Sequence, residues 1–174
     1  MGLILLQQIK HSGAARVIAI DIRDDMLELA KQLGADEVIN PVKNDPVKKV
    51  HEITAGSGVD VSFEVGGSQG TLDLAASLCR MEGKLVIFGY HPGSRTIQDL
   101  GFWNWMAFDI INAHFRDKNV ILDGTRRGMA MLNAKKVTMK PLITHSFRLD
   151  QINAAFASAV EKPHGFVKSV ITFD

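Results

Sequence analysis

Two kinds of segment alternate along the chain. Short, nearly continuous apolar and β-branched runs occur at RVIAIDI (residues 16–22), EVIN (37–40), VDVSFEVG (59–66), KLVIFGY (84–90) and DIINAHF (109–115). Runs of this kind suit strands buried on both faces, as in a parallel sheet. Between them the apolar spacing becomes helical. In DDMLELAKQLG, Met26, Leu29, Ala30 and Leu33 fall on one stripe, with Asp24 or Asp25 available to cap the start and Gly34 the end. DPVKKVHEITAG places Pro46 near a helix start and Gly56 just past its end. QGTLDLAASLCR aligns Leu72, Ala75, Ala76 and Cys79 on one side. The opening stretch GLILLQQIKHSG is also helix-like, and a helix over 119–135, PLITHSF, a helix around 149–160 and a closing strand FVKSVITF complete the chain. The order is helix, then β-α-β-α-β-α-β, then a less regular stretch and further elements. It predicts an α/β fold, built from βαβ units as a doubly wound parallel sheet.

Composition narrows the class without changing this picture. With 174 residues, 46% hydrophobic and 22% charged, the chain is long enough for one ordinary globular core. No linker marks a second domain, although residues 141–174 read as a tail beyond a main domain over 1–140. Twenty basic and 19 acidic residues give a net charge of +1 with no block of either sign, so neither nucleic acid nor an anionic membrane is implied. The apolar run at residues 3–6 is broken by Gln7, Gln8 and Lys10, which leaves no signal-peptide core and nothing near the roughly 20 apolar residues of a membrane helix. A soluble, cytoplasmic protein is the expectation. One cysteine, Cys79, excludes an internal disulfide and any multi-cysteine zinc pattern within this chain.

Two residues point to a nucleotide. A dinucleotide site in such a sheet needs a glycine-rich turn, a helix start facing the pyrophosphate, and an acidic residue about 20 positions on for the ribose hydroxyls. Gly2 heads the first helix, and Asp21 follows nineteen residues later, directly after a strand. The bland readings are a terminal glycine and a helix-capping aspartate. Asp21 would favour NAD, because a carboxylate repels a 2′-phosphate. Arg23, after Ile22, pulls the other way, since an arginine there can accommodate that phosphate.

Taken together, MGLILLQQIKHSGAARVIAIDIRDDMLELAKQLGADEVIN, GVDVSFEVGG, KLVIFGYH, PLITHSF and the final INAAFASAV…GFVKSVITF resemble the coenzyme-binding part of the zinc-dependent medium-chain alcohol and polyol dehydrogenases, over essentially the whole chain and in order. The resemblance implies a Rossmann-like domain binding NAD(H) and hydride transfer between an alcohol and NAD in the intact family. It implies Gly2 at the pyrophosphate-facing helix start and Asp21 on the adenosine ribose, with Ile22 and Arg23 beside it. It also implies Val65 and Gly66 next to the nicotinamide ribose, Phe88, Gly89 and Tyr90 at the carboxamide, and Lys168 within reach of the pyrophosphate. Gly66 and Gly89 also read as plain turn glycines, and Lys168 as an exposed strand lysine.

In that family a catalytic domain, a strand and the glycine turn precede this segment, so Met1 resembles an internal residue and the usual first, central strand of the sheet is absent. The zinc ligands belong to the same preceding part, which makes the isolated chain inactive by expectation. His91 and His114 follow strands at the ligand-binding edge, but loop or backbone-bonded histidines are the common case. A missing central strand leaves rows of backbone groups unpaired. A tag-derived strand, a strand swapped from a second copy, or FVKSVITF would then fill the place, or the sheet would rearrange. Trp103 and Trp105 suggest core packing or a subunit interface, and a homo-oligomer or pairing with a related subunit is expected. An interaction module that has lost its coenzyme is the alternative; a methyltransferase on a similar sheet is the remoter one.

Overall fold

A computed structural model describes residues 1–173. Its elements follow the predicted order, with one helix, over Leu100–Met106, formed in the stretch read as irregular. They are α1 (Gly2–His11), β1 (Ile18–Ile20), α2 (Asp24–Gln32), β2 (Glu37–Ile39), α3 (Pro46–Ile53), β3 (Val59–Glu64), α4 (Gln69–Leu78), β4 (Cys79–Ile87), α5 (Leu100–Met106), β5 (Asp109–Asn112), α6 (Lys118–Asn133), β6 (Ile143–Arg148), α7 (Ile152–Glu161) and β7 (Lys168–Thr172). Every strand pair is parallel, with a helix in each crossover. No helix among the described residues is long and apolar enough to cross a membrane.

The chain divides into two compact units. The first holds residues 1–40 and the chain from Arg126 onward. Here β1 pairs with β2, and Leu6, Val17, Ala30 and Ala35 form the buried cluster against which Leu3, Ile9, Leu33 and Val38 pack. Lys10 ties α1 to Asp36 at 2.7 Å, and Asp36 also accepts the Val17 N–H at 2.7 Å. Buried Gln7 accepts the Thr138 N–H at 2.7 Å and donates to the Thr138 carbonyl at 3.2 Å. At the end of α2, Gly34 takes a φ of +108°, its N–H meets the Lys31 carbonyl, and Ala35 N–H reaches back to Ala30. That double bond pattern requires a left-handed residue, which is why the glycine stops the helix. The stripe on α2 is shifted from the expected one: Leu27 and Ala30 are buried, whereas Met26 and Leu29 are half-buried. The N-cap is Arg23, with both aspartates inside the first turn. In the same unit β6 and β7 form a separate two-stranded sheet, so the closing strand pairs with β6.

The second unit spans Pro41–Thr125. Its sheet has the order β3-β4-β5, and Leu72, Ala75, Ala76, Cys79, Leu85 and Phe108 form its core, as the helical spacing of α4 foretold for the first three and Cys79. Cys79, however, ends the helix and opens β4 instead of extending α4. Trp103 packs edge-on to Phe108 at 5.4 Å, while Trp105 is exposed. Asp45 caps α3 by accepting the N–H groups of Val47 and Lys48, with Pro46 at the first helical position. Asp45→Ala is expected to cost about 1 kcal/mol, read as a lower urea midpoint at unchanged slope.

Among the described residues no strand pairs with the second edge of β1 or of β3. Burial on both faces holds for Leu85 and Val86 of β4 but not for β5, whose four residues are all exposed. β5 lies at the outer edge of its sheet and starts and ends on Asp109 and Asn112, which are polar.

Candidate functional site

Five of the residues singled out in sequence lie in the first unit. Gly2 begins α1 behind Met1, no side chain caps this start, and the first turn holds no acidic residue. The open N–H groups and the helix dipole give it a positive character. Burial, and secondly the charge of Lys168, lower the pKa of the Met1 amino group. Gly2 and Lys168 belong to the same unit, although 166 positions separate them in the numbering. Asp21 follows β1 and is exposed, and Ile22 beside it is exposed as well. Asp21 does not cap α2; it accepts the Arg23 N–H at 2.9 Å in an Asx-type turn. Arg23 points elsewhere. Its Nε and Nη2 grip the Asp25 carboxylate at 3.1 and 2.5 Å, and Nη1 donates to the Phe166 carbonyl at 3.1 Å. The Arg23 hydrogen bond holds the Asp25 pKa down at about 2.

The other five lie in the second unit, on the loops after β3 and β4. The register pairs Glu64 with Ile87, so these loops emerge side by side at the carboxyl end of parallel strands, where ligands bind in such sheets. Phe88 and Gly89 donate their N–H groups to the Glu64 carbonyl at 2.9 and 2.8 Å. Val65 and Phe88 are half-buried, Gly89 is buried, and Gly66 and Tyr90 are exposed. The two glycines have no room for a side chain. A Cβ at Gly66 would meet Thr71 Cγ2 at 2.6 Å, and one at Gly89 would meet Glu64 Oε2 at 2.5 Å. Gly66 and Gly89 are therefore close-approach positions, more than simple turn glycines.

Sequence reasoning missed the group that organises these loops. Glu64 is 1% exposed. Its Oε1 accepts from Gly67 N–H at 2.7 Å and Thr71 Oγ1 at 2.6 Å, and its Oε2 accepts from His91 Nε2 at 2.7 Å. Arg95 Nε lies 3.2 Å from His91 Nδ1, and Arg95 Nη2 donates to the Gly67 carbonyl at 2.8 Å. An arginine N–H can only donate, so the network assigns His91 the neutral tautomer with its proton on Nε2. Burial pushes the Glu64 pKa up, but the bonds from Thr71, Gly67 and His91 outweigh it and leave the carboxyl below its ordinary range. The available signal was one acidic residue inside the apolar run VDVSFEVG. His114 donates from Nε2 to the Gly89 carbonyl at 3.0 Å, the backbone-bonded role expected for a loop histidine.

No three His, Cys, Asp or Glu side chains among the described residues are arranged to hold a metal ion, so these residues do not fit a zinc centre. Cys79 is buried, burial raises its thiol pKa, and its Sγ donates to the Lys84 carbonyl.

Residues 1–144 match the family model described as zinc-binding dehydrogenase. L-threonine 3-dehydrogenase of Pyrococcus horikoshii is 33% identical over 157 residues, which is 90% of this chain and 44% of that protein. Among solved structures, benzyl alcohol dehydrogenase from Acinetobacter calcoaceticus superposes with a TM-score of 0.83 at 29% identity, over 99% of this chain and 47% of that one. An oxidoreductase/dehydrogenase of unknown specificity from Escherichia coli superposes with a TM-score of 0.88 at 28% identity, over 99% and 48%. The chain spans a little under half the length of these relatives.

Proposed function

Because this chain belongs to the zinc-binding dehydrogenase family, we propose that it is the coenzyme-binding portion of an NAD-dependent alcohol dehydrogenase of the polyol or threonine type. The observation that carries the reading is Asp21, an exposed carboxylate directly after β1 of a parallel pair, in the same unit as an uncapped helix start and Lys168. These are the chemical needs of an adenosine ribose and a pyrophosphate. When bound, the coenzyme supplies the hydride acceptor. The chain's own part is to bind it, with Asp21 on the adenosine ribose and the α1 start and Lys168 at the pyrophosphate. The zinc and the substrate pocket are assigned to other parts of the whole enzyme, and the chain alone is inactive in this reading. It works in the cytoplasm, as a homo-oligomer or with a related subunit.

One observation favours a second reading, an interaction module that has lost its coenzyme: the outer edges of β1 and β3 carry no partner strand among the described residues. Calorimetric titration of the chain with NADH separates the two. Saturable NADH binding, weakened about tenfold or more by Asp21→Ala as the loss of charged hydrogen bonds requires, supports the first. A folded sample that gives no heat with NADH or NADPH sinks it.

A further inference from the structure

The end of β1 carries two charges that favour opposite coenzymes. Asp21 suits the free ribose hydroxyls of NAD, and a guanidinium two residues on is what a 2′-phosphate would use. The geometry of Arg23 decides between them. Its planar fork has five N–H donors. Four are committed: Nε to Asp25 Oδ1 at 3.1 Å, Nη2 to Asp25 Oδ2 at 2.5 Å and to the Pro163 carbonyl at 3.4 Å, and Nη1 to the Phe166 carbonyl at 3.1 Å. Asp25 is itself fixed, because it accepts the N–H groups of Met26 at 3.0 Å and Gly165 at 2.7 Å. The two side chains are only 25% and 11% exposed, so the pair is shielded from the solvent that weakens surface ion pairs. Asp25 also sits in the first turn of α2, where the helix dipole favours its negative charge.

We infer that Asp25 is a specificity-determining residue: by holding Arg23 against the 163–166 segment it withholds the guanidinium from a 2′-phosphate and so enforces NAD(H) over NADP(H). This rests on the reading that Asp21 faces the adenosine ribose. Asp21 repels the phosphate directly, whereas Asp25 removes a nearby group able to attract it. Swapping Asp21 alone therefore leaves the job half done.

The test is calorimetry with NADH and NADPH on the chain, Asp21→Ser, Asp21→Ser/Asp25→Asn, and the triple variant that adds Arg23→Ala. Each variant is first checked by its thermal melt, with Asp25→Ser in reserve should the asparagine version fail to fold. Asp21→Ser is expected to weaken NADH without creating tight NADPH binding. Adding Asp25→Asn is expected to raise NADPH affinity about tenfold, the worth of a charge-assisted bond to phosphate, while NADH affinity stays within about twofold. Arg23→Ala is expected to abolish that gain. A merely structural role for Asp25 would weaken both coenzymes together. No NADPH gain in the double variant, or a gain that survives Arg23→Ala, overturns the inference and leaves the parent reading intact. Absence of NADH binding by the unaltered chain removes both.

Discussion

Glu64→Leu is expected to cost the second unit about 3–5 kcal/mol, enough to unfold a marginal domain. The leucine fills the volume but accepts no hydrogen bond, and Glu64 is buried with acceptor bonds to Gly67, Thr71 and His91. Three donors would lose their acceptor together, and each unsatisfied buried group carries its full desolvation cost. Glu64→Gln isolates the charge. Its carbonyl oxygen can still serve Gly67 and Thr71, but its NH₂ then meets the His91 Nε2–H, two donors face to face. We expect a loss of about 1–3 kcal/mol there, measured from urea midpoints of both variants. The pH dependence has a fixed sign. The folded-state pKa of Glu64 is lowered, so the carboxylate's contribution is present above the unfolded value near 4.5 and lost as pH falls through the folded one. The gap between the unaltered chain and Glu64→Gln should therefore close on acidification; a gap that widens toward acid would contradict the assignment.

Gly67→Ala is expected to be the most damaging single-methyl addition. Gly67 has a φ of +74°, and a Cβ there would stand 2.2 Å from the Tyr90 carbonyl oxygen. The obstacle is backbone, pinned by neighbours that cannot rotate away. The loop after β4 must move, which would displace Gly89 and Tyr90 and strain the bonds to Glu64. Left-handed strain and overpacking together amount to roughly 2–4 kcal/mol. Gly93→Ala is the control: its φ is +79° with nothing within 4 Å of the added methyl. It should show the conformational term alone, about 1 kcal/mol. Equal melting temperatures for the two variants would mean that the close approach at Tyr90 does not matter.

Much of the fold was legible because its signals are local. The Gly34 stop, the Pro46 start and the buried face of Leu72, Ala75 and Ala76 each depend on residues within one or two turns. Cys79 was misplaced by a single torsion: its side chain is buried as expected, but its ψ has swung to +137°, far from the helical value, and the chain has already turned into β4. The candidate residues were read from one strand end and one helix start. The two side-chain networks around them were not foreseen. Glu64 draws its partners from a loop, from α4 and from the segment 91–95, and Arg23 reaches carbonyls 140 and 143 positions away. No spacing rule encodes such meetings; they arise only when the parallel register sets Glu64 beside Ile87 and when the tail returns to α2.

The Gln7–Thr138 contact has a consequence of its own. A side-chain amide there imitates one rung of a β-ladder, engaging both the N–H and the carbonyl of a residue that belongs to no helix or strand. Hydrogen exchange at the Thr138 amide is therefore expected to track the undocking of α1, a helix 131 positions away in the numbering, and not the opening of a surface loop.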